Sequence, residues 1–251
     1  MLKNRTVFVT GASSGIGLAT ARKFAEAGAR VLMAARRIDR LEKLASLFQT
    51  ETHLLKLDVR NKAAVEKEIS GLPSAWQEID ILINNAGLSR GLDKLHQGDT
   101  ADWDEMIDTN VKGLLYVSRA VIPGMVKRGR GQIVNIGSIA GHELYPGGNV
   151  YCATKHAVNA LTRGLLMDLV DTPVRVCSVD PGLVQTEFSE VRFHGDTERA
   201  AGVYQGYKPL SGDDIAESIL WVCSRPEHVQ VAELIILPKA QASAMVVHKQ
   251  V

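Results

Sequence analysis

The sequence predicts an α/β fold: a doubly wound parallel sheet of about seven strands with helices on both faces, in one domain spanning residues 1–251. Short β-branched apolar runs alternate with longer segments of helical period, which is the pattern of a parallel sheet linked by crossover helices. A glycine-rich turn directly follows the first apolar run, and the polar residues singled out below follow other runs in the same way. In a parallel sheet, residues just past the strands gather on one rim.

In chain order, the strands fall at 5–10, 30–35, 52–57, 79–83, 133–137, 174–179 and 233–237. The helices fall at 18–27, 38–49, 63–70, 101–127, 150–170 and 212–224, with an irregular stretch between Pro181-Gly182 and the last helix. Gly28 is placed to end the first helix as a C-cap glycine. No internal repeat, low-complexity stretch or linker divides the chain.

Composition excludes several function classes. With 45% hydrophobic and 23% charged residues and a net charge of +1, the chain lacks the basic block that nucleic acid requires. Aromatic content of 5% argues against a base-stacking surface. No apolar run reaches the ~20 residues of a membrane span, and the first strand begins too early for a signal peptide. Cys152, Cys177 and Cys223 are odd in number and lack metal-ligand spacing, as do the seven histidines, so a reducing cytoplasm and no metal are expected. Cys152 lies ~100° round its helix from Tyr151 and reads as a small core residue.

Gly11-Ala12-Ser13-Ser14-Gly15-Ile16-Gly17 lies between a strand and a helix, the context of a dinucleotide-binding loop. Glycines there let the backbone approach a pyrophosphate, and the helix N-terminus offers free N–H groups. Its spacing, G-x-x-x-G-x-G, differs from the G-x-G-x-x-G of larger dehydrogenases, and a ligand-free turn is the alternative. An NAD site places an acid at the end of the second strand for the ribose 2′-hydroxyl. Here Ala35 is followed by Arg36 and Arg37, so the residues predict a 2′-phosphate and NADP(H), with Arg36 as main contact and Arg37 in support.

Tyr151 and Lys155 are four residues apart and share a helix face. A cation beside a phenol favours phenolate, so Tyr151 is a candidate acid/base at an alcohol or carbonyl oxygen. Ser138, at the end of an apolar run, is placed to hydrogen-bond that same oxygen. Such Tyr-x-x-x-Lys pairs are common on helix surfaces, and the neighbouring motifs decide the reading. In the irregular segment, Arg192 is a candidate for a bidentate bond to a substrate carboxylate or sulfonate, and Arg90, just past the Asn84-Asn85-Ala86-Gly87 turn, is a weaker one.

TGASSGIG (10–17), NNAG (84–87), Asn110, Ser138, YCATK (151–155) and PG (181–182) together resemble the short-chain dehydrogenase/reductase family from end to end. The resemblance implies a Rossmann-type domain, a nicotinamide cofactor and a catalytic set of Asn110, Ser138, Tyr151 and Lys155. It further implies that Lys155 lowers the Tyr151 pKa and holds ribose hydroxyls. Asn110 holds a water leading to solvent; without the family it reads as a satisfied helix kink. Asp58 and Val59 then contact the adenine, Asn85, Ala86 and Gly87 pass the adenosine ribose, and Pro181, Gly182, Val184 and Thr186 wrap the nicotinamide. The family also implies a homotetramer built on the long helices.

LDVRN (57–61), EIDILINNAGL (78–88), MIDTNVKGL (106–114), GGNVYCATK (147–155), PGLVQTEFSEVRFHGD (181–196) and LPKAQ (237–241) are similar to a narrower branch. Its members are NADP-dependent 3-hydroxy-acid dehydrogenases acting on serine and allo-threonine, with reductases of small semialdehydes and sulfoacetaldehyde among them. Many 3-oxoacyl carrier-protein reductases of the wider family end the last strand in Gly-Gly, where this chain has Pro238-Lys239-Ala240-Gln241. The alternatives are a carbonyl or 3-oxoacyl reductase with a larger substrate, or a cofactor-binding protein without catalysis.

Overall fold

A computed structural model describes residues 2–250. Seven strands, β1 (Thr6–Thr10), β2 (Arg30–Ala35), β3 (Thr52–Lys56), β4 (Ile81–Asn84), β5 (Gly131–Ile136), β6 (Val174–Pro181) and β7 (Glu233–Ile236), form one sheet. Their order is β3-β2-β1-β4-β5-β6-β7, with every neighbouring pair parallel. Strand order reverses between β1 and β4, which opens a crevice beyond their carboxyl ends.

The strands are apolar on both faces because both faces are covered. Val7, Val9, Val31, Met33, Ile81 and Ile83 pack under α1 (Gly15–Glu26), α2 (Ile38–Ala45) and α9 (Gly212–Cys223), where Phe24, Leu41, Ile215 and Ile219 meet them. The alternate residues Phe8, Leu32 and Leu82 face α3 (Lys62–Ser70), α5 (Leu114–Arg128) and α6 (Asn149–Asp168) through Val65, Val117, Val121 and Met125. Alternation of period two thus divides one set of strands between two cores.

Strand ends shift by one or two residues, and four segments differ more from the expected boundaries. The first helix begins at Gly15 inside the glycine turn, with Ser14 extended before it. Helix α2 stops at Ala45, where Ser46 turns its hydroxyl back to the Lys43 carbonyl. The expected long helix at 101–127 is α4 (Thr100–Ile107), a π-helical turn over Asp108–Gly113, and α5. A π turn inserts one extra residue, and here it presents the buried Asn110 to the loop after β4. The segment after β6 is folded, holding α7 (Phe188–Arg192) and α8 (Thr197–Gly202).

Candidate active site

The crevice at the strand ends holds a cavity of about 470 Å³. Its walls include Gly11, Ser13, Ser14, Gly15 and Ile16 after β1, Arg36 and Arg37 after β2, Asp58 and Val59 after β3, and Asn85, Ala86 and Gly87 after β4. Ser138, Tyr151, Lys155, Pro181, Gly182, Val184, Thr186 and Arg192 complete it. Two expected site residues lie behind the wall instead. Gly17 is a packing residue, because a Cβ there would collide with the Gly11 carbonyl and the Asn85 amide. Asn110 Oδ1 accepts from Leu88 N at 2.8 Å, while its Nδ2 donates to Leu88 O at 2.8 Å and Thr154 Oγ1 at 3.0 Å. The Asn110 side chain thus ties the β4 loop to α6.

The turn after β1 suits a pyrophosphate. Gly11 and Gly15 have φ of +66° and +53°, a region L-residues rarely enter, and α1 starts there with its N–H groups toward the cleft. Around it the guanidinium groups of Arg36, Arg37, Arg40, Arg60 and Arg90 are paired with the carboxylates of Asp58, Glu105 and Glu187. Asp58 itself is held by Arg60 at 2.6 Å, and this bond keeps its carboxyl below the ordinary carboxylate range. Arg40, Arg60, Glu105 and Glu187 escaped the sequence reading; the R-R-x-x-R spacing of 36–40 was the available signal.

Tyr151 sits at the other end of the cleft, on the first turn of α6, and is 8% exposed. Burial raises its pKa; the opposing influences are the Arg192 charge first and the Ser138 hydroxyl second. Lys155 stands one turn further along α6. Its Nζ donates to the Ile136 carbonyl at 2.8 Å and lies 5.9 Å from the Tyr151 ring centre, while burial brings the ammonium down to about 8. Ser138 caps a short turn over Ile139–Gly141, its Oγ accepting from Ala140 N at 3.1 Å. Asp180 stands behind these groups, bonded to Ser178 and, at 2.6 Å, to His142. Glu233 approaches the same imidazole but is engaged by Asn159 and Arg163, so this trio is internally hydrogen-bonded.

Helix α7 covers the tyrosine. Phe188 packs edge-on to the Tyr151 ring at 5.6 Å, and the Arg192 guanidinium lies 5.3 Å from that ring while donating to Tyr145 Oη at 2.9 Å. Arg192 Nε is buried without a partner among the described residues, an unsatisfied donor beside the proposed proton donor. Arg90 is turned away from the cavity toward Glu105 and the Val191 carbonyl. From the far side the C-terminal tail contributes Gln241, whose Oε1 accepts from Leu183 N at 2.9 Å and so fixes the loop after Pro181-Gly182. Tyr145 and Gln241 were not anticipated as site residues.

The arrangement can hold a phosphorylated dinucleotide with one end at the arginines, and move a proton at a substrate oxygen between Ser138 and Tyr151. Comparisons with known proteins agree. The chain is 47% identical over 239 residues to the NADP-dependent 3-hydroxy acid dehydrogenase YdfG of Salmonella typhi, covering 95% of this chain and 96% of that one. It is 43% identical over 254 residues to the NADP-dependent 3-hydroxy acid dehydrogenase of Schizosaccharomyces pombe, covering 99% and 98%. The closed form of a serine dehydrogenase complexed with NADP+ superposes with a TM-score of 0.94 at 46% identity, over 98% of this chain and 100% of that one. Residues 5–196 match the short chain dehydrogenase family, and with these relatives along its full length the chain belongs to that family of oxidoreductases.

Proposed function

We propose that this enzyme transfers a hydride between NADP(H) and a small polar 3-hydroxy acid or its carbonyl partner, the class of serine, allo-threonine, 3-hydroxypropionate and sulfoacetaldehyde. The observation that carries the reading is Arg192, whose buried, unpartnered Nε lies in the cavity wall above Tyr151. A carboxylate or sulfonate there would bring its neighbouring hydroxyl carbon to Ser138 and Tyr151. The nicotinamide supplies the hydride chemistry when bound.

Arg36 and Arg37 hold the 2′-phosphate, the Gly11–Gly15 turn takes the pyrophosphate, and Lys155 takes the ribose. Ser138 donates to the substrate oxygen where negative charge develops, and Tyr151 gives or receives its proton. The enzyme acts as a homotetramer in the cytoplasm, a reading supported by its exposed apolar side chains and three buried free thiols.

A panel of serine, allo-threonine, 3-hydroxypropionate, sulfoacetaldehyde and acetoacetyl thioesters with NADP(H) and NAD(H) tests the assignment. Arg192→Ala should raise KM for the acidic substrates by about tenfold or more and hardly change it for uncharged ketones. A preference for the thioesters, or an equal loss on charged and uncharged substrates, would favour the larger-substrate reductase.

A further inference from the structure

We propose that Asp180 is a positioning residue of the reaction, the buried negative charge that keeps Lys155 an ammonium and is itself held by His142 and Ser178. The inference rests on the proposed role of Lys155 at the cofactor ribose and names the group that sustains it. Asp180 does not line the cavity, so it acts through the lysine.

Lys155 is buried, and its Nζ donates to a neutral group, the Ile136 carbonyl, at 2.8 Å. A buried ammonium with a neutral partner is costly unless a negative charge stands near it. Strands β5 and β6 run in register, Asn135 beside Ser178 and Ile136 beside Val179. The next residues along are Gly137 and Asp180, and a Cβ on Gly137 would collide with Asp180 Oδ1. Cation and anion therefore meet at one peptide unit, Ile136–Gly137, directly before Ser138. The carboxylate is fixed there: Ser178 Oγ donates to Oδ1, and His142 Nε2 lies 2.6 Å from Oδ2. With the hydrogen on Nε2, the imidazole Nδ1 is left to accept from Asn159 Nδ2 at 3.4 Å. Glu233 on β7 faces the same imidazole, but Asn159 and Arg163 of α6 engage it. The remaining neighbours of the ammonium carry no negative charge: Gly87 after β4, and Tyr151, whose phenol burial keeps protonated.

Burial drives the Lys155 proton off, and the Asp180 charge opposes it, which leaves the amine titrating at about 8. Burial likewise pushes the Asp180 carboxyl up, opposed by the Ser178 hydroxyl and then by His142. The two groups thus support each other's charged forms. An amine that titrates at about 8 has little margin at neutral pH. Without the Asp180 charge its boundary falls toward or below neutrality, and the site loses the ammonium that holds the ribose.

The test is the Asp180→Asn variant, which keeps the shape of the side chain and its hydrogen-bonding positions but removes the charge. In the ligand-free, full-length enzyme, Lys155 is titrated by NMR of lysine labelled at the ε-carbon, its resonance assigned by its absence from Lys155→Met. The midpoint should fall from about 8 by roughly one pH unit or more in Asp180→Asn. The alkaline fall of kcat/KM for reduction with NADPH should move down with it. Coupling between two sites is reciprocal, so Lys155→Met should raise the Asp180 titration, read from aspartate labelled at the γ-carbon, by the same amount. This second arm decides the matter where Asp180→Asn does not fold. A lowered kcat with an unmoved Lys155 midpoint would show that Asp180 only braces the Ser138 turn, and would overturn the proposal. An Asp180 carboxyl indifferent to Lys155→Met would overturn it equally. Full turnover by Lys155→Met would instead remove the role of Lys155 on which the inference rests.

Discussion

At the scale of single residues, burial and charge set the protonation of the site. Lys155 titrates near 10.5 in an open chain and at about 8 here, pushed down by desolvation and partly restored by the Asp180 charge. Between those two pH values the folded chain holds fewer protons at this position than the unfolded chain, so the Lys155 contribution to stability rises as pH climbs from 8 to 10.5. Below pH 8 the charged, buried amine costs a few kcal/mol, at ~1.4 kcal/mol per pKa unit. Lys155→Met should therefore be more stable than wild type at pH 7, with a gap in Tm that shrinks toward pH 10; a gap independent of pH would refute the shift. At the opposite end of the cleft, Arg36 shares its surroundings with Arg37, Arg40 and Arg60. Loss of one of several contacts to phosphate is a modest change, and Arg36→Ala should raise the NADPH KM by roughly tenfold. Adding Ala35→Asp to it should swing preference toward NAD, by supplying the 2′-hydroxyl partner that this strand end lacks. Higher kcat/KM with NADH than NADPH in the unmodified enzyme would end that argument.

At the scale of elements, the π turn between α4 and α5 is where the chain departs from regular geometry for the sake of the site. Asn110 satisfies both backbone groups of the buried Leu88. Asn110→Ala strands that N–H and C=O, each worth about 1–3 kcal/mol when left unpaired. For a domain of this size that predicts a fall in Tm of roughly 4–20 °C by calorimetry, with turnover lost in parallel as the β4 loop slackens. A Tm within about 1 °C of wild type would show the clamp to be dispensable. The strands, their parallel direction and the rim of residues behind them were legible in the sequence, because apolar runs and glycine turns are local signals, while the order of the strands across the sheet was not. The π turn was not, since its cause is a bond from residue 110 to residue 88. The pairings of Arg37 with Glu187 and Arg90 with Glu105 were equally hidden, lying 150 and 15 residues apart with no periodicity to join them. Helices α7 and α8 were read as irregular because each is too short to show a helical apolar period.

At the scale of the whole molecule, two sets among the apolar side chains that face outward from the isolated chain lie on α5–α6 and on α9–β7. On and just after α5 and α6, Leu115, Val126, Met167 and Val170 are exposed, Met167 by 72% and Val170 by 82%. Of the stripe Leu161, Leu165, Leu166 and Leu169, Leu169 is buried in the core and Leu165 and Leu166 pack against it while staying partly exposed, so the face packs on its own sheet without being fully covered by it. The second set is Trp221 on α9 and Ile235 on the edge strand β7, 47% and 44% exposed. A closed tetramer of identical chains with two-fold symmetry uses distinct self-complementary patches, and two separate apolar sets are what that symmetry asks for. The wild type should therefore run as a tetramer in light scattering at micromolar concentration. Trp221→Glu buries a charge in one interface only, and should give a folded dimer in which the α5–α6 contact persists. Val170→Asp should attack the other interface and leave dimers joined through α9 and β7. A stable monomer for the wild type, or an unaltered tetramer in both variants, would show that these apolar faces remain in water.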